Sequence, residues 1–176
     1  LMPAYPIIYD EIEMRVNFPI LFDLQNQKLS YCRWRGAQAQ SCTSAPEASK
    51  QQSCGIMLQT SPYERFSGAS LATLVSNWQE YDFLYLDIWS ESSGVLNIRI
   101  NDLKHVIKPS FSDRFNMQSN LKIGWNRIAI SLKDVENAPL HRRIHMNEIA
   151  SIGLFSSRPH GLTEILVAKV WLHAED

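Results

Sequence analysis

The chain has 176 residues, of which 45% are hydrophobic, and this size suits one globular domain with a single core. Its formal net charge is −1, so no long-range field attracts it to nucleic acid or to an anionic membrane surface. The longest apolar stretches, such as residues 19–24, are far shorter than the roughly 20 residues of a membrane helix. We therefore expect no nucleic-acid partner, and contact with a membrane only through a parent protein.

Two segments near the N-terminus have no regular pattern. Residues 1–17 mix proline, tyrosine and acidic residues, and we expect a lead-in segment or linker there. Because Leu1 precedes Met2, we expect the chain to be a processed form or a piece of a larger protein. Residues 36–53 contain no large apolar side chain and are predicted to form a long, flexible, solvated loop. The remainder, within 18–176, is predicted to be a single β-sandwich domain.

The three cysteines, Cys32, Cys42 and Cys54, all lie in the first third of the chain. An odd number prevents complete intramolecular pairing. A Cys42–Cys54 disulfide in an oxidising compartment and three free thiols both fit the spacing. Because no C-x-x-C motif is present, the cysteines match no zinc or redox site.

Strand patterns recur at short intervals. In chain order, the predicted strands cover residues 18–24, 29–35, 55–60, 70–76, 81–89, 95–101, 111–117, 126–132, 151–155 and 164–172. Residues 81–89 are almost continuously apolar, which is typical of a central strand buried on both faces. Residues 95–101 and 126–132 alternate between apolar and polar side chains, as in strands with one buried face. With helix limited to single turns near 133–137 and 146–149, the pattern predicts an all-β sandwich or barrel.

Several short motifs follow one another through the second half of the chain. In order they are NWQEYDFLYLDIW from Asn77, LNIRINDLKH from Leu96, DRFN from Asp113, GWNRIAISL from Gly124 and APLHRR from Ala138. This series resembles the carbohydrate-binding-module-like domains of the galactose-binding jelly-roll superfamily, in the versions appended to bacterial VanZ-like membrane proteins. The resemblance implies a jelly-roll β-sandwich that binds a carbohydrate or polysaccharide without catalysis. It also implies a periplasmic or extracellular place within a membrane-anchored envelope protein.

The resemblance further implies a structural calcium near the two chain ends. Asp23 lies where such domains carry an acidic residue on the first strand. In the last strand, however, the expected acidic position reads Ala168 and Lys169, and neither residue offers a carboxylate. Because a hard cation needs oxygen ligands, we predict no bound metal and no cofactor.

Polar residues of two predicted strands suggest a binding site. Alternation places Arg99 and Asn101 on one sheet face, with Arg114 and Asn116 on the same face of a neighbouring strand. Such side chains bond sugar hydroxyls while an aromatic ring covers the apolar face of the sugar. With loop residues and one residue added by the resemblance, the predicted ligand-binding set is Arg99, Asn101, Asp102, His105, Asp113, Arg114, Asn116 and Arg143, together with the rings of Trp78 and Tyr81.

A structural interpretation of the same cluster competes with the binding site. Asp102 or Asp113 would then pair with a nearby arginine, one of Arg114, Arg142 and Arg143, and only fix a loop. Strand aromatics are usually core residues, so Trp125 and Phe155 are expected to be mainly structural.

The sequence carries none of the common catalytic motifs. The sequence contains no G-x-S-x-G, P-loop, G-x-G-x-x-G or H-E-x-x-H motif, so we predict no catalytic residue and no enzyme. The alternative to carbohydrate binding is a periplasmic sensory or protein-interaction domain with a protein partner. An exposed apolar patch, together with a polar cluster fully consumed by internal salt bridges, would favour that alternative.

Overall fold

The computed structural model describes residues 5–23, 34–35, 39–44, 54–59, 63, 65–157 and 164–175. The strands within these ranges are β1 Ile20–Asp23, β2 Trp34–Arg35, β3 Ala39–Ser44, β4 Cys54–Gln59, β5 Phe66–Ala72, β6 Phe83–Ser90, β7 Gly94–Asp102, β8 Phe115–Leu121, β9 Gly124–Ser131, β10 Ile149–Ser157 and β11 Glu164–His173. The helices are α1 Tyr5–Asn17, α2 Leu103–Ile107 and α3 Leu132–Asn137, and a 3-10 turn covers Phe111–Asp113.

The described strands form two antiparallel sheets. In the six-stranded sheet the order is β3-β4-β11-β6-β9, and β1 also pairs with β11. In the five-stranded sheet the order is β2-β5-β10-β7-β8. Buried apolar side chains from both sheets form the main core. The predicted all-β sandwich is therefore confirmed.

Alternation decides which side chains enter this core. On β7, Leu96, Ile98 and Ile100 are buried, while Asn97 and Arg99 are only half-buried on the outer face. Successive side chains of a strand point to opposite faces, so one face of β7 is available for function.

β6 differs from its prediction on one face. It is central in its sheet as expected, and Leu84, Leu86 and Ile88 are fully buried. Tyr85, however, is only half-buried on the outer face, where its ring stacks on Trp171 of β11 at 5.3 Å between centroids. Trp89, further along the same outer face, is buried in a small cluster with Met57 and Leu166. Burial on both faces is therefore confined to the end of β6, and the rest of its outer face is partly exposed.

Two predictions for the N-terminal third need correction. A strand, β3, pairs with β4 inside the predicted loop 36–53, whose residues 36–38 and 45–53 lie outside the described ranges. A helix, α1, replaces the irregular lead-in segment, and its Met14 is buried, with the sulfur accepting the Val75 amide at 3.2 Å. The pairing of the three cysteines lies outside what is described. Among the described residues, no helix has both the length and the apolarity needed to cross a membrane.

Candidate functional site

Asp102 lies fully buried at the end of β7, where its carboxylate caps α2. One oxygen, Oδ1, accepts the His105 amide at 3.0 Å and Arg142 Nη2 at 2.9 Å. The other, Oδ2, accepts Arg142 Nη1 at 2.6 Å and the His145 amide at 2.9 Å. A carboxylate has about four acceptor positions. All of them are used within the protein, so none remains for a ligand.

Arg142 joins this carboxylate to a second one. Its Nε donates to Asp113 Oδ1, and its Nη2 donates to Asp113 Oδ2 at 2.8 Å. His105 Nδ1 lies 3.6 Å from Asp113 Oδ2 on the other side. We refer to Asp102, His105, Asp113 and Arg142 as the Arg142 brace, because together they tie the α2 loop to the 3-10 turn.

The pKa values of Asp102, Asp113 and Arg142 agree with a permanently charged network of these three groups. Burial alone would raise the pKa of Asp102, but hydrogen bonds from Arg142, His145 and His105 outweigh it and lower that pKa from 3.8 to about 2. The hydrogen bond from Arg142 holds the pKa of Asp113 below its usual value. Hydrogen bonds to Asp113 and Asp102 in turn raise the pKa of Arg142. All three groups therefore stay ionised at neutral pH.

Arg143 and Asn101 were predicted to belong to the same cluster, but their side chains make other contacts. The Arg143 side chain is 73% exposed, and its Nη1 lies 3.7 Å from Glu136. Asn101 is buried on β7, and its Oδ1 accepts the Ser151 hydroxyl at 3.0 Å. Neither side chain lines the groove that crosses the outer face of the five-stranded sheet.

The predicted rings also lie elsewhere. Trp78 is fully buried, and its Nε1 donates to the Val75 carbonyl at 3.2 Å. Tyr81 packs edge-to-face on Phe18 at 5.3 Å, beside a separate cavity of about 320 Å³ that Trp78 also lines. Trp125, expected to be mainly structural, is instead 41% exposed.

A groove of about 780 Å³ crosses the outer face of the five-stranded sheet, over β5, β10, β7 and β8. With three interstrand spacings of about 4.8 Å, it extends about 14 Å across the strands. Residues directly opposite each other on neighbouring antiparallel strands share a face, so the groove floor consists of rows. One row is Ser70, Gly153, Arg99 and Asn116, and the next is Gly68, Phe155, Asn97 and Gln118.

The two glycines make the floor concave. A Cβ on Gly153 would lie 2.5 Å from Arg99 Nε, so only glycine lets the Arg99 side chain cross β10. Arg99 then donates from Nη2 to the Ser70 hydroxyl at 3.2 Å. A Cβ on Gly68 would lie 2.1 Å from the carbonyl oxygen of Leu154, which is backbone and has little freedom to move.

Amide side chains in both rows are held in place by neighbours. Asn97 Nδ2 donates to the Phe155 carbonyl at 3.3 Å, and Gln118 Nε2 donates to Asn97 Oδ1 at 3.1 Å. Asn116 Oδ1 accepts Arg114 Nε at 2.9 Å. Side chains fixed before binding lose less entropy when a ligand arrives.

Three phenyl rings lie near these amides in the groove. None of them was among the ligand-binding residues predicted from the sequence. Phe66 is 54% exposed and packs edge-to-face on half-buried Phe155 at 5.8 Å. Phe111 is 73% exposed, with the Arg114 guanidinium 5.3 Å from its ring centre. Phe155 was expected to be mainly structural, but it alternates with buried Leu154 and faces the groove. The alternation in SIGLFSS was the available signal.

This arrangement suits a ligand that has hydroxyl groups around its edge and apolar C–H groups on its faces. Polar side chains fix the orientation of such a ligand, while rings cover its apolar faces. Asp102 and Asp113 both bind Arg142 and do not line the groove, so they do not face a groove-bound ligand as a catalytic carboxylate pair would.

The residues near the chain ends do not fit a calcium ion. Lys169 Nζ lies 3.7 Å from Asp23 Oδ2, so a positive charge already faces the acidic residue of the first strand. A hard cation needs several oxygen ligands at this place. Among the described residues, no three His, Cys, Asp or Glu side chains are grouped so that they could hold a metal ion.

No protein-family model matches the chain, and no curated protein matches it in sequence. Solved structures do match its fold. A family 11 carbohydrate-binding module from Clostridium thermocellum, in complex with a β-1,3-1,4-mixed-linked tetrasaccharide, is similar with TM-score 0.61 and 12% identity over 88% of this chain and 94% of that chain. A carbohydrate-binding module of family 28, which is specific for non-crystalline cellulose, is similar with TM-score 0.53 and 12% identity over 90% of this chain and 95% of that chain.

An exo-β-agarase is similar with TM-score 0.68 and 15% identity, over 89% of this chain but only 25% of that chain. The agarase likeness therefore concerns one part of a larger enzyme, whereas the two modules are matched almost completely. At such low identity these likenesses show the fold alone. The chain is an all-β jelly-roll sandwich, as its sequence predicted.

Proposed function

We propose that the chain is a non-catalytic carbohydrate-binding module and that the groove on the five-stranded sheet is its binding site. The observation that carries this proposal is the groove itself, in which oriented amides lie beside exposed phenyl rings. A family 11 module of the same fold was solved with a tetrasaccharide, which supports the same class of ligand here.

The dimensions of the groove favour a polymer over a single sugar. At about 14 Å across four strands, the groove is longer than one pyranose ring. Asn97 and Gln118 offer hydrogen bonds to hydroxyls along one row, and Phe155 offers an apolar surface next to Asn97 in the same row. A polysaccharide chain lying across the strands would contact all three side chains.

The test is a panel of soluble polysaccharides in affinity gel electrophoresis, followed by isothermal titration calorimetry. The parent chain should bind at least one polymer. Phe155→Ala should weaken that binding about ten- to a hundredfold, because burying a phenyl ring contributes about 1.5–3 kcal/mol. Trp125→Ala is the matched control, since this exposed ring lies on the six-stranded sheet. Equal losses in both variants, with unchanged melting temperatures, would contradict the assignment of the groove.

We further propose that the module works in the periplasm or outside the cell, within a membrane-anchored envelope protein. The sequence resemblance is the support for this location. Protease accessibility of the full-length parent protein in intact and permeabilised cells tests the proposal. Cleavage of the module only after the inner membrane is permeabilised would place it in the cytoplasm and contradict it.

A sensory or protein-interaction domain is the second candidate, and one observation favours it. Four exposed apolar side chains, Leu103, Val106, Ile107 and Leu140, lie on segments next to the Arg142 brace. Failure of the whole polysaccharide panel, together with self-association that Ile107→Asp abolishes in analytical ultracentrifugation, would support this candidate over the first.

A further inference from the structure

The groove is cationic although the chain as a whole is nearly neutral. Arg99 and Arg114 line it, and the Arg65 guanidinium lies 5.3 Å from the ring centre of Phe66 at its edge. None of the described residues that line the groove is Asp or Glu. Since the formal net charge of the chain is −1, the positive charge is a local property of this surface.

Each of the two groove arginines has N–H donors without a hydrogen-bond partner among the described residues. Arg114 uses only Nε, which bonds Asn116, so its Nη1 and Nη2 have no partner among the described residues. Arg99 bonds Ser70 through Nη2, and its Nη1 has no partner in the described part of the chain; its Nε also has none but is buried and is not open to a ligand. Arg127, on the opposite sheet, is by contrast paired with a carboxylate, because it forms two hydrogen bonds of 2.8 Å to Asp87.

Among the described residues, no carboxylate forms an ion pair with either of these two arginines. Burial, and secondarily the charge of Arg99, lower the pKa of Arg114. The carboxylate nearest in sequence, Asp113, has both oxygens bonded to Arg142. An anion that entered the groove would relieve the repulsion between Arg99 and Arg114 and fill their free donor positions.

Each guanidinium also lies beside a phenyl ring. The Arg114 guanidinium is 5.3 Å from the ring centre of Phe111, and that of Arg99 is 5.9 Å from the ring centre of Phe155. Such a pair matches a sugar unit that carries an acid group, because the sugar's C–H face meets the phenyl ring while its acid group meets the guanidinium. A small free anion would use the arginines without the rings.

We infer that the groove selects an acidic polysaccharide, whose carboxylate or sulfate groups bind Arg99 and Arg114. This inference rests on the proposed carbohydrate-binding function and narrows its ligand class. A uronate carboxylate and a sulfate ester share the relevant chemistry, since each presents two oxygens to the parallel N–H groups of a guanidinium.

The experiment compares polymers that share a backbone and differ in whether they carry charged acid groups. Polygalacturonate is paired with its fully methyl-esterified form, and dextran sulfate with dextran; calorimetry at low and high NaCl measures each affinity. The parent chain should bind the charged member of at least one pair at least about tenfold more tightly, because hydrogen bonds to charged groups contribute about 1.5–3 kcal/mol. That preference should shrink as NaCl rises from about 0.01 to 1 M, where the Debye length falls from about 30 to 3 Å. The pair that shows the preference identifies the acid group.

Arginine-to-glutamine variants test whether the preference for the charged polymer arises in the groove. Arg114→Gln and Arg99→Gln should each lower affinity for the charged polymer about ten- to a hundredfold. Arg143→Gln is the matched control, since this exposed arginine does not line the groove, and its affinity should equal that of the parent. Melting temperatures should stay unchanged in all three.

Three results would overturn the inference. Equal affinity for the charged and neutral members of both pairs would leave a carbohydrate module without selection for acid groups. Equal losses in Arg114→Gln, Arg99→Gln and Arg143→Gln would assign the binding to general surface charge. Absence of binding to every polymer in the panel would overturn the carbohydrate function as well.

Discussion

Arg142→Met should lower the free energy of unfolding more than any other single substitution of a charged residue described above. The variant keeps most of the side-chain volume but leaves the buried Asp102 carboxylate without its guanidinium partner. Breaking a buried ion pair in this way costs about 3–5 kcal/mol. For a domain of this size, about 2–4 °C of melting temperature corresponds to each kcal/mol, so the melting temperature should fall by about 6–20 °C.

The same variant should change how stability depends on pH. Because the pKa of Asp102 is lowered from 3.8 to about 2 in the folded state, its ionised form stabilises the parent above pH 4. At about 1.36 kcal/mol for each pH unit, about 2 kcal/mol of that stability is lost as the pH falls from 4 to 2. In Arg142→Met the main cause of the lowered pKa is gone, so the difference between variant and parent should shrink over this range.

Urea unfolding followed by tryptophan fluorescence, at pH 7 and at steps down to pH 2, measures both effects. Arg143→Met is the matched control, because the neighbouring arginine is exposed and its ion pair of 3.7 Å is expected to contribute within about 0.5 kcal/mol. Asp102→Asn in the Arg142→Met background should recover part of the loss. A loss below about 1 kcal/mol for Arg142→Met, or an equal loss for both arginines, would refute the brace.

Two further predictions concern packing. Trp78→Ala should cost about 3–5 kcal/mol, while Trp125→Ala should cost much less, because Trp78 is fully buried and Trp125 is 41% exposed. Similar losses in thermal unfolding would contradict this contrast. Gly68→Ala should lower the melting temperature, because the new Cβ would lie 2.1 Å from the Leu154 carbonyl oxygen. Gly124→Ala is the sterically weaker change, because the new Cβ would lie in open space and only the φ of 93° would strain the backbone. A Gly68→Ala variant as stable as the parent would refute the close approach of β5 and β10.

Local patterns were sufficient for most of the sandwich. The alternation in β7 and β9 predicted which apolar residues enter the core, because the side-chain period of a strand depends only on neighbouring residues. The same reasoning failed for β3, whose small polar residues nonetheless pair with β4, because backbone hydrogen bonds need no apolar side chain. It also failed for α1, where the docking of Met14 in the core is a tertiary contact.

Sequence alone placed Arg99, Arg114 and Asn116 on one sheet face, and these three residues do line the groove. It also assigned Asp113 and Arg114 to one cluster, because Asp113 was expected at the end of the strand that carries Arg114 or in the loop that precedes it. In the structure Arg114 is extended, with φ −153° and ψ 166°, and consecutive side chains of an extended backbone point in opposite directions.

The tertiary structure therefore decided which of the two belongs to the brace and which to the groove. Arg142 is 29 residues from Asp113 and 40 residues from Asp102 in sequence, and only the folded loop brings it to both carboxylates. The register between β10 and β7 likewise places Phe155 beside Asn97, a contact that no local pattern contains. The sequence by itself determined which residue types each strand presents on its outer face. Their partners depended on long-range pairing, because strands far apart in sequence become neighbours only when the sheet forms.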